Sequence, residues 1–272
     1  MPHPEFTIVI REFASLADYE ACVALQDETW GAGFSERVPG AILRVAQKIG
    51  GVSAGAFDRD GQLLGFVFGM TGIRDGALVH WSDMLAVRPD ARGTGLADRL
   101  KQYQRDRVRA LGVSVMFWTA DPLVARNAQF NINHLGALPS EYVENMYGEN
   151  TGSVLHGPMP TDRFVYRWNL DAPPFTTRSG DAEARDTAMA AAIEFGTDAR
   201  PLAVATPDRQ DVRVHLPHDL SQIQAVNSSL AFAWRRAVRA AFTARVGHGF
   251  TVVRFVRGTS DALPYYVLST TN

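Results

Sequence analysis

"LAVRPDARGTGLADRL", residues 85–100, runs an extended apolar segment into a proline, then an arginine among glycines, then an amphipathic helix. Ser or Asp would cap a helix better than glycine, so two glycines at its entrance ask for another reason. Gly93 and Gly95 have no Cβ, so the backbone there can take positive φ and a ligand can approach it closely. Successive amides, Arg92 through Ala97, then converge on an anion at a helix N-terminus, where the dipole favours negative charge. A phosphate or pyrophosphate is the expected guest. Arg92 adds a formal charge, and Pro89 holds Arg88 extended so that the strand feeds straight into the turn.

Two familiar nucleotide loops do not fit. A Walker loop needs four residues between its first glycine and a Gly-Lys pair, which the sequence lacks. A dinucleotide fingerprint needs a small residue where Asp98 stands and an acidic one at the end of the next strand, where Trp118 and Thr119 stand.

Outward from this turn, the spacing predicts a strand over 6–11, helices over 15–30 and 39–49, and strands over 52–57, 62–69 and 78–87. Arg59-Asp60-Gly61 reads as a hairpin turn. A helix over 96–111 and a strand over 113–119 complete a crossover of the parallel kind. Asp121 then reads as the cap of a helix running to Gly136, followed by strands near 138–143 and 164–170. The Pro, Thr and Ser-rich stretch 171–181 marks a domain boundary, giving parts 1–172 and 173–272. Beyond it, the spacing predicts an Ala-rich helix (181–195), strands near 202–206 and 211–216, one long helix (219–246) and strands at 250–257 and 264–269. Strand, helix, glycine, strand over 211–257 loosely repeats 79–119, with "HLPHDL" in place of the glycine turn.

The 272 residues carry 27 Lys+Arg against 29 Asp+Glu, a net charge of −2, so no global field would hold a nucleic acid or an anionic membrane. Cys22 is the only cysteine, which excludes an internal disulfide and a cysteine-rich zinc cluster and fits a reducing compartment; no metal is expected. "MPHPEFTIVIREF" has no basic leader followed by an apolar core, and no apolar run approaches membrane-spanning length. A cytoplasmic protein is the expectation.

Arg92, Gly95 and Ala97, preceded by Val87-x-Pro89, resemble the acetyl-CoA site of the GNAT superfamily of N-acetyltransferases, whose pattern is Arg or Gln, two residues, Gly, one residue, then Gly or Ala. The element order over 6–170 is similar to that superfamily as well. "WTADPLVARNAQFNINHLGALPSEYVENMYG", residues 118–148, further resembles a bacterial branch of GNAT-type proteins sharing W-T-x-D-P-L, R-N-A-x-F-N, L-G-A and Y-x-x-N-x-Y-G and continuing past the acetyltransferase domain. The resemblance implies an α/β fold, with a mixed central sheet flanked by helices and a smaller C-terminal α/β lobe resembling half a GNAT domain. It also implies acetyl-CoA, or another acyl-CoA, as co-substrate.

Carried over, a thioester would lie in a splayed gap between two parallel strands, with the amides of Leu85, Ala86 and Val87 at a bulge polarising its carbonyl. Arg92, Gly93, Thr94, Gly95, Leu96 and Ala97 would hold the pyrophosphate. Strand alternation in "HWSDMLAV" puts Trp81, Asp83 and Leu85 on one face and His80, Ser82 and Met84 on the other. Asp83 stands where some members carry a catalytic His, whereas His80 has the better pKa but faces away. The tyrosine that usually protonates the departing thiolate is replaced by Ile132, which leaves Tyr142, Tyr147 or solvent for that role. Asn127, Asn131 and His134 form a helical polar stripe, read either as a solvated face or, for the two asparagines, as contacts to pantetheine. Arg99, Lys101, Arg105, Arg107 and Arg109 read mostly as solvated surface, and "FAWRRAVRAAF" as a core helix with its arginines outside.

These readings lead to an acyl-CoA-dependent acyltransferase that moves acetyl to a primary amine of a small molecule or peptide through a ternary complex. The C-terminal lobe then lines the acceptor site or mediates dimerisation. The alternative from another class is a catalytically idle acyl-CoA-binding module; an aminoacyl-tRNA-dependent transferase is a weaker third.

Overall fold

The computed structural model describes residues 8–172, 189–198, 200–206 and 210–270. They group into two compact units: the first holds residues up to 118 with 150–157 and 169–171, and the second holds 119–149, 158–168 and the rest of the described chain.

In the first unit, β1 (Val9–Glu12), β2 (Val52–Phe57), β3 (Leu63–Arg74) and β4 (Ala77–Val87) are antiparallel neighbours in that order, and β5 (Val115–Ala120) joins β4 in parallel. All six residues of β2 are buried, as an inner strand covered on both faces requires. Three helices accompany this sheet: α1 (Leu16–Trp30), α2 (Gly40–Lys48) and α3 (Leu96–Arg109). A capping box starts α1, with the Ser15 hydroxyl accepting from the Asp18 amide and the Asp18 carboxylate accepting from the Ser15 amide, both at 3.2 Å. Arg11 donates to that same carboxylate at 2.7 Å, which joins the helix entrance to β1. Phe13, Tyr19, Leu25, Leu43, Phe66 and Phe68 form the core between sheet and helices. Cys22 lies within it, fully buried, and burial pushes its thiol up to about 12.

The second unit opens with α4 (Ala125–Ala128), which runs on as a π-helical segment, Gln129–His134, and is followed by the antiparallel pair β6 (Leu138–Val143) and β7 (Arg163–Asn169). Then come β8 (Ala190–Ala191), β9 (Ile193–Phe195), β10 (Pro201–Ala203), β11 (Asp211–His215), α5 (Leu220–Val226), α6 (Ser228–Thr243), β12 (Phe250–Val256) and β13 (Tyr265–Thr270). A smaller sheet has the order β12-β13-β11-β8, with β8 parallel to β11 and the other neighbours antiparallel. Phe164, Tyr142, Phe242 and Tyr266 pack ring to ring, 4.6 to 5.7 Å between centroids, and join β6 and β7 to α6 and β13.

Several expectations are corrected here. The segment 190–195 is strand rather than the end of an Ala-rich helix, and 181–188 lies outside the described residues, as does most of 171–181. The long helix over 219–246 is two, because Asn227 leaves helical geometry and its side chain accepts from the Leu230 amide, capping α6. Asp121 does not cap a helix: α4 begins four residues later, and the carboxylate accepts from the Leu123 amide at 2.8 Å within a turn and from Arg235 at 3.0 Å, with Arg163 3.8 Å away. Arg235, expected outside, is 2% exposed.

The repeat also aligns differently from expectation. In the first half, β4 pairs in parallel with β5, and α4 and the β6–β7 pair follow. In the second, β8 pairs in parallel with β11, and α5, α6 and the antiparallel β12–β13 pair follow. "HLPHDL" therefore follows the counterpart of β5. What corresponds to the glycine turn and α3 is the β9–β10 hairpin, which has no helix N-terminus to face an anion.

Candidate functional site

Beyond one short stretch, β4 and β5 do not stay together. Their parallel ladder pairs Val79 with Val115, His80 with Met116 and Trp81 with Phe117, and ends there, although β4 continues to Val87 and β5 to Ala120. Facing β3, the register of β4 slips between Ser82 and Met84, so Asp83 is the extra residue of a bulge. The resemblance had placed that irregularity at Leu85–Val87; it stands two residues earlier.

Alternate amides of a strand point to opposite neighbours. The Arg88 amide donates to Leu64 O on the β3 side at 2.8 Å, so those of Val87 and Leu85 point the other way, into the gap left by β5. The Ala86 amide faces β3 and is not available there. Two of the three expected donors therefore line the fork.

The strand then enters a turn, Pro89–Ala91 forming a 3₁₀ segment, and reaches α3 through Gly93 (φ +78°) and Gly95 (φ +77°). A Cβ at either glycine would meet nothing within 4 Å. Packing does not require glycine there; backbone conformation and open space do. No side chain caps α3, whose first amides have no intrahelical acceptor. Thr94 turns its hydroxyl to Ala91 O at 2.8 Å, and Arg92 lays its Nε against Val87 O at 3.1 Å with its guanidinium exposed beside the turn. Leu96 is buried and fixes the helix start to the core. The turn thus presents a helix N-terminus without a side-chain cap and an exposed arginine beside it.

His80 and Asp83 have different surroundings. His80 is fully buried; Thr71 Oγ1 lies 3.0 Å from its Nδ1 and Gln104 Nε2 3.0 Å from its Nε2. Because the Thr71 hydroxyl donates to Gly50 O, His80 must donate through Nδ1 and accept at Nε2. Burial, with the Lys101 charge adding to it, pushes its pKa down to about 3. Both nitrogens are taken and the imidazole is neutral. Asp83 is exposed as a residue, but its carboxyl sits among protein atoms that displace water, and this burial raises its pKa. A hydrogen bond with Trp81 opposes the rise and the nearby Glu36 carboxylate adds to it.

Asn127, Asn131 and Tyr147 belong to the second unit. Asn131 is buried beside Tyr166 on the π-helical segment, and Asn127 is half-buried on α4. The Tyr147 hydroxyl lies 2.9 Å from Thr119 Oγ1, with the Arg163 guanidinium over its ring. Ile132 is fully buried.

Lys101, expected in solvent, is 3% exposed on the buried face of α3; its place beside Leu96, Leu100, Gln104 and Val108 in helical spacing was the available signal. Near the far end of α3, a recess of about 530 Å³ is lined by Glu12, Tyr19, Arg44, Lys48, Arg107 and Leu111, with Arg107 paired to Glu12 at 2.7 Å; it contains neither the fork nor the turn. Among the described residues, no helix is long and apolar enough to cross a membrane, and no group of three His, Cys, Asp or Glu could hold a metal ion.

No family model matches the chain, and no curated protein is similar to it. Among solved structures, it is similar to a phosphinothricin acetyltransferase of the GNAT superfamily from Sinorhizobium meliloti in complex with acetyl-CoA (18% identity, TM-score 0.49, 62% of this chain and 94% of that one). It is similar to the ribosomal-protein-S18-alanine N-acetyltransferase of Escherichia coli (14%, TM-score 0.48, 64% and 100%). The NatC complex bound to Gag peptide and CoA also contains a chain to which it is similar (15%, TM-score 0.48, 62% and 99%). Each of these neighbours covers under two thirds of this chain.

Proposed function

We propose that the chain binds an acyl-CoA along β4 and transfers its acyl group, acetyl in the first instance, directly to a primary amine of a small molecule or peptide. The observation that carries this reading is the continuity of the fork with the glycine turn: unpaired strand amides lead without interruption to an uncapped helix N-terminus. A diphosphate fits the second, and an extended arm carrying amides fits the first, as an added strand fits a sheet edge. The open space at Gly93 and Gly95 is what close approach of a diphosphate to the backbone demands.

Acyl-CoA supplies an acyl group activated as a thioester. In this reading the Leu85 and Val87 amides donate into the gap where carbonyl charge would develop, an arrangement fixed by the β3 ladder before any ligand arrives. Asp83 accepts the proton of the attacking amine, and its raised pKa makes it a better base than an ordinary carboxylate. His80 braces β4 against β3 and α3, since neither nitrogen is free to take a proton. Solvent protonates the departing thiolate in this reading, and Tyr142 is committed elsewhere, its hydroxyl donating to Asp162 at 2.6 Å. The buried Ile132 in place of the usual tyrosine favours a second reading, acyl-CoA binding without transfer.

Calorimetry with CoA and thiol release across a panel of amines test both. Binding with amine-dependent release that Asp83→Asn abolishes is the expected result, and release should fall as pH drops through the raised Asp83 pKa. Binding without release from any amine favours the non-catalytic reading; no binding at sub-millimolar CoA removes both.

A further inference from the structure

Leu96, Leu100, Gln104 and Val108 form the face that α3 turns to the core, and Lys101 shares it. A buried lysine is costly unless its charge has a use, because an apolar side chain of similar length fills the same space without losing hydration. The contacts of Lys101 show where that use lies. Its Nζ donates to Ser82 Oγ on β4 at 2.7 Å, approaches Met116 Sδ on β5 at 3.8 Å and stands 4.0 Å from the centroid of the Trp118 ring, also on β5. Trp81 and Phe117 are the last ladder pair, so Ser82 and Trp118 are the first residues of the two parting arms. One ammonium therefore grips both arms at the point where they separate, where no ladder bond does.

We propose that Lys101 is a positioning residue that holds the β4–β5 fork at the opening needed by the thiol-bearing arm of an acyl-CoA. The inference rests on the acyl-CoA reading above. The ammonium acts through Ser82 and Trp118: a hydrogen bond sets the β4 arm, and attraction to the indole face sets the β5 arm. The groups facing it are few. From β4 come the neutral His80 and the Ser82 hydroxyl, from β5 the Met116 thioether and the Trp118 ring, and from α3 the Gln104 amide, with Asp98 and Arg105 a turn away on either side. No carboxylate contributes to the Lys101 pKa, which burial alone pushes down to about 7. The grip is therefore strongest at mildly acid pH and is released as pH rises through neutrality.

The test follows the Ser82 amide and the Trp118 indole by ¹⁵N NMR in the free protein from about pH 5.5 to about 9, in wild type, Lys101→Met and Lys101→Arg. Both resonances should titrate near neutrality in wild type and stay flat in Lys101→Met. Calorimetry with CoA is the second readout. Lys101→Met should bind about tenfold more weakly than wild type at pH 6, Lys101→Arg should recover most of that loss, and the gap should close towards pH 9. Lys101→Met with unshifted resonances over 82–87 and 118–120 and wild-type CoA affinity overturns the inference alone. A wild type that binds no CoA overturns the acyl-CoA reading and this inference with it. Should Lys101→Met fail to fold, a wild type whose fork resonances and CoA affinity are indifferent to pH between 6 and 9, beside a Lys101→Arg that matches it, overturns the inference equally.

Discussion

Replacing Gly93 and Gly95 together by alanine separates what the turn does for folding from what it does for a ligand. Both glycines have positive φ, so alanine at each costs about 1–2 kcal/mol of backbone strain, or roughly 3 kcal/mol for the pair. No steric cost adds to this, because the new methyl groups meet nothing within 4 Å. The methyls do occupy the space through which a diphosphate must reach the amides. Two hydrogen bonds to a charged group, at about 1.5 kcal/mol each, give a loss of roughly 3 kcal/mol, or about a hundredfold in Kd. Gly112→Ala is the matched control: φ is +85°, the added methyl again meets nothing within 4 Å, and the residue follows the far end of α3. Urea denaturation should show both variants destabilised, the double variant about twice as much, whereas calorimetry with CoA should show only the double variant impaired. A double variant that binds CoA within about twofold of wild type would refute the cradle.

Other outcomes follow from buried charge. Between pH 7 and 10 the unfolded chain holds a proton that native Lys101 has given up, so wild type should gain stability relative to Lys101→Met by about 1.4 kcal/mol per pH unit; parallel stability curves would count against the buried ammonium. Arg235→Ala leaves the Asp121 carboxylate with the Leu123 amide and the longer Arg163 contact and should cost about 3 kcal/mol in chemical denaturation, and Asp121→Asn in that background should recover part of it. An Arg235→Ala loss under about 1 kcal/mol would mean that the pair contributes little. Cys22 should resist alkylation in the native protein and react fully in urea.

Local chemistry made the turn legible in the sequence. Gly93, Gly95, Pro89 and Arg92 each have a conformational or electrostatic reason to be there, and the reasons agree. The strand alternation around it was legible too, since His80 and Ser82 are buried and Asp83 is exposed. Hidden features depend on contacts distant in sequence. Asp121 keeps the local half of a cap, accepting from the Leu123 amide at 2.8 Å, but α4 starts only at Ala125 and the carboxylate also holds Arg235, 114 residues away. Lys101 sits among arginines that are solvated, and its charge hid the fact that its helical position belongs to the apolar face. Ala-rich 181–195 has high helix propensity, yet its described end pairs as strands, because pairing with β10 and β11 outweighs a weak local preference. In the C-terminal half, the repeat could be sensed but not aligned, since β8 is too short to register as a strand before β11 is seen beside it.

A strand with an open flank is hazardous for any protein, because any passing extended chain can add to it. From Ser82 onward β4 carries such a flank inside its own sheet, and it cannot be blunted with prolines or charges without spoiling its use. Whatever fills the gap therefore also finishes the sheet, and each tenfold excess of that occupant over its dissociation constant adds about 1.4 kcal/mol to the folded state. Abundance of this protein in a cell should consequently track supply of its occupant, with starvation for it felt first as shortened lifetime and aggregation.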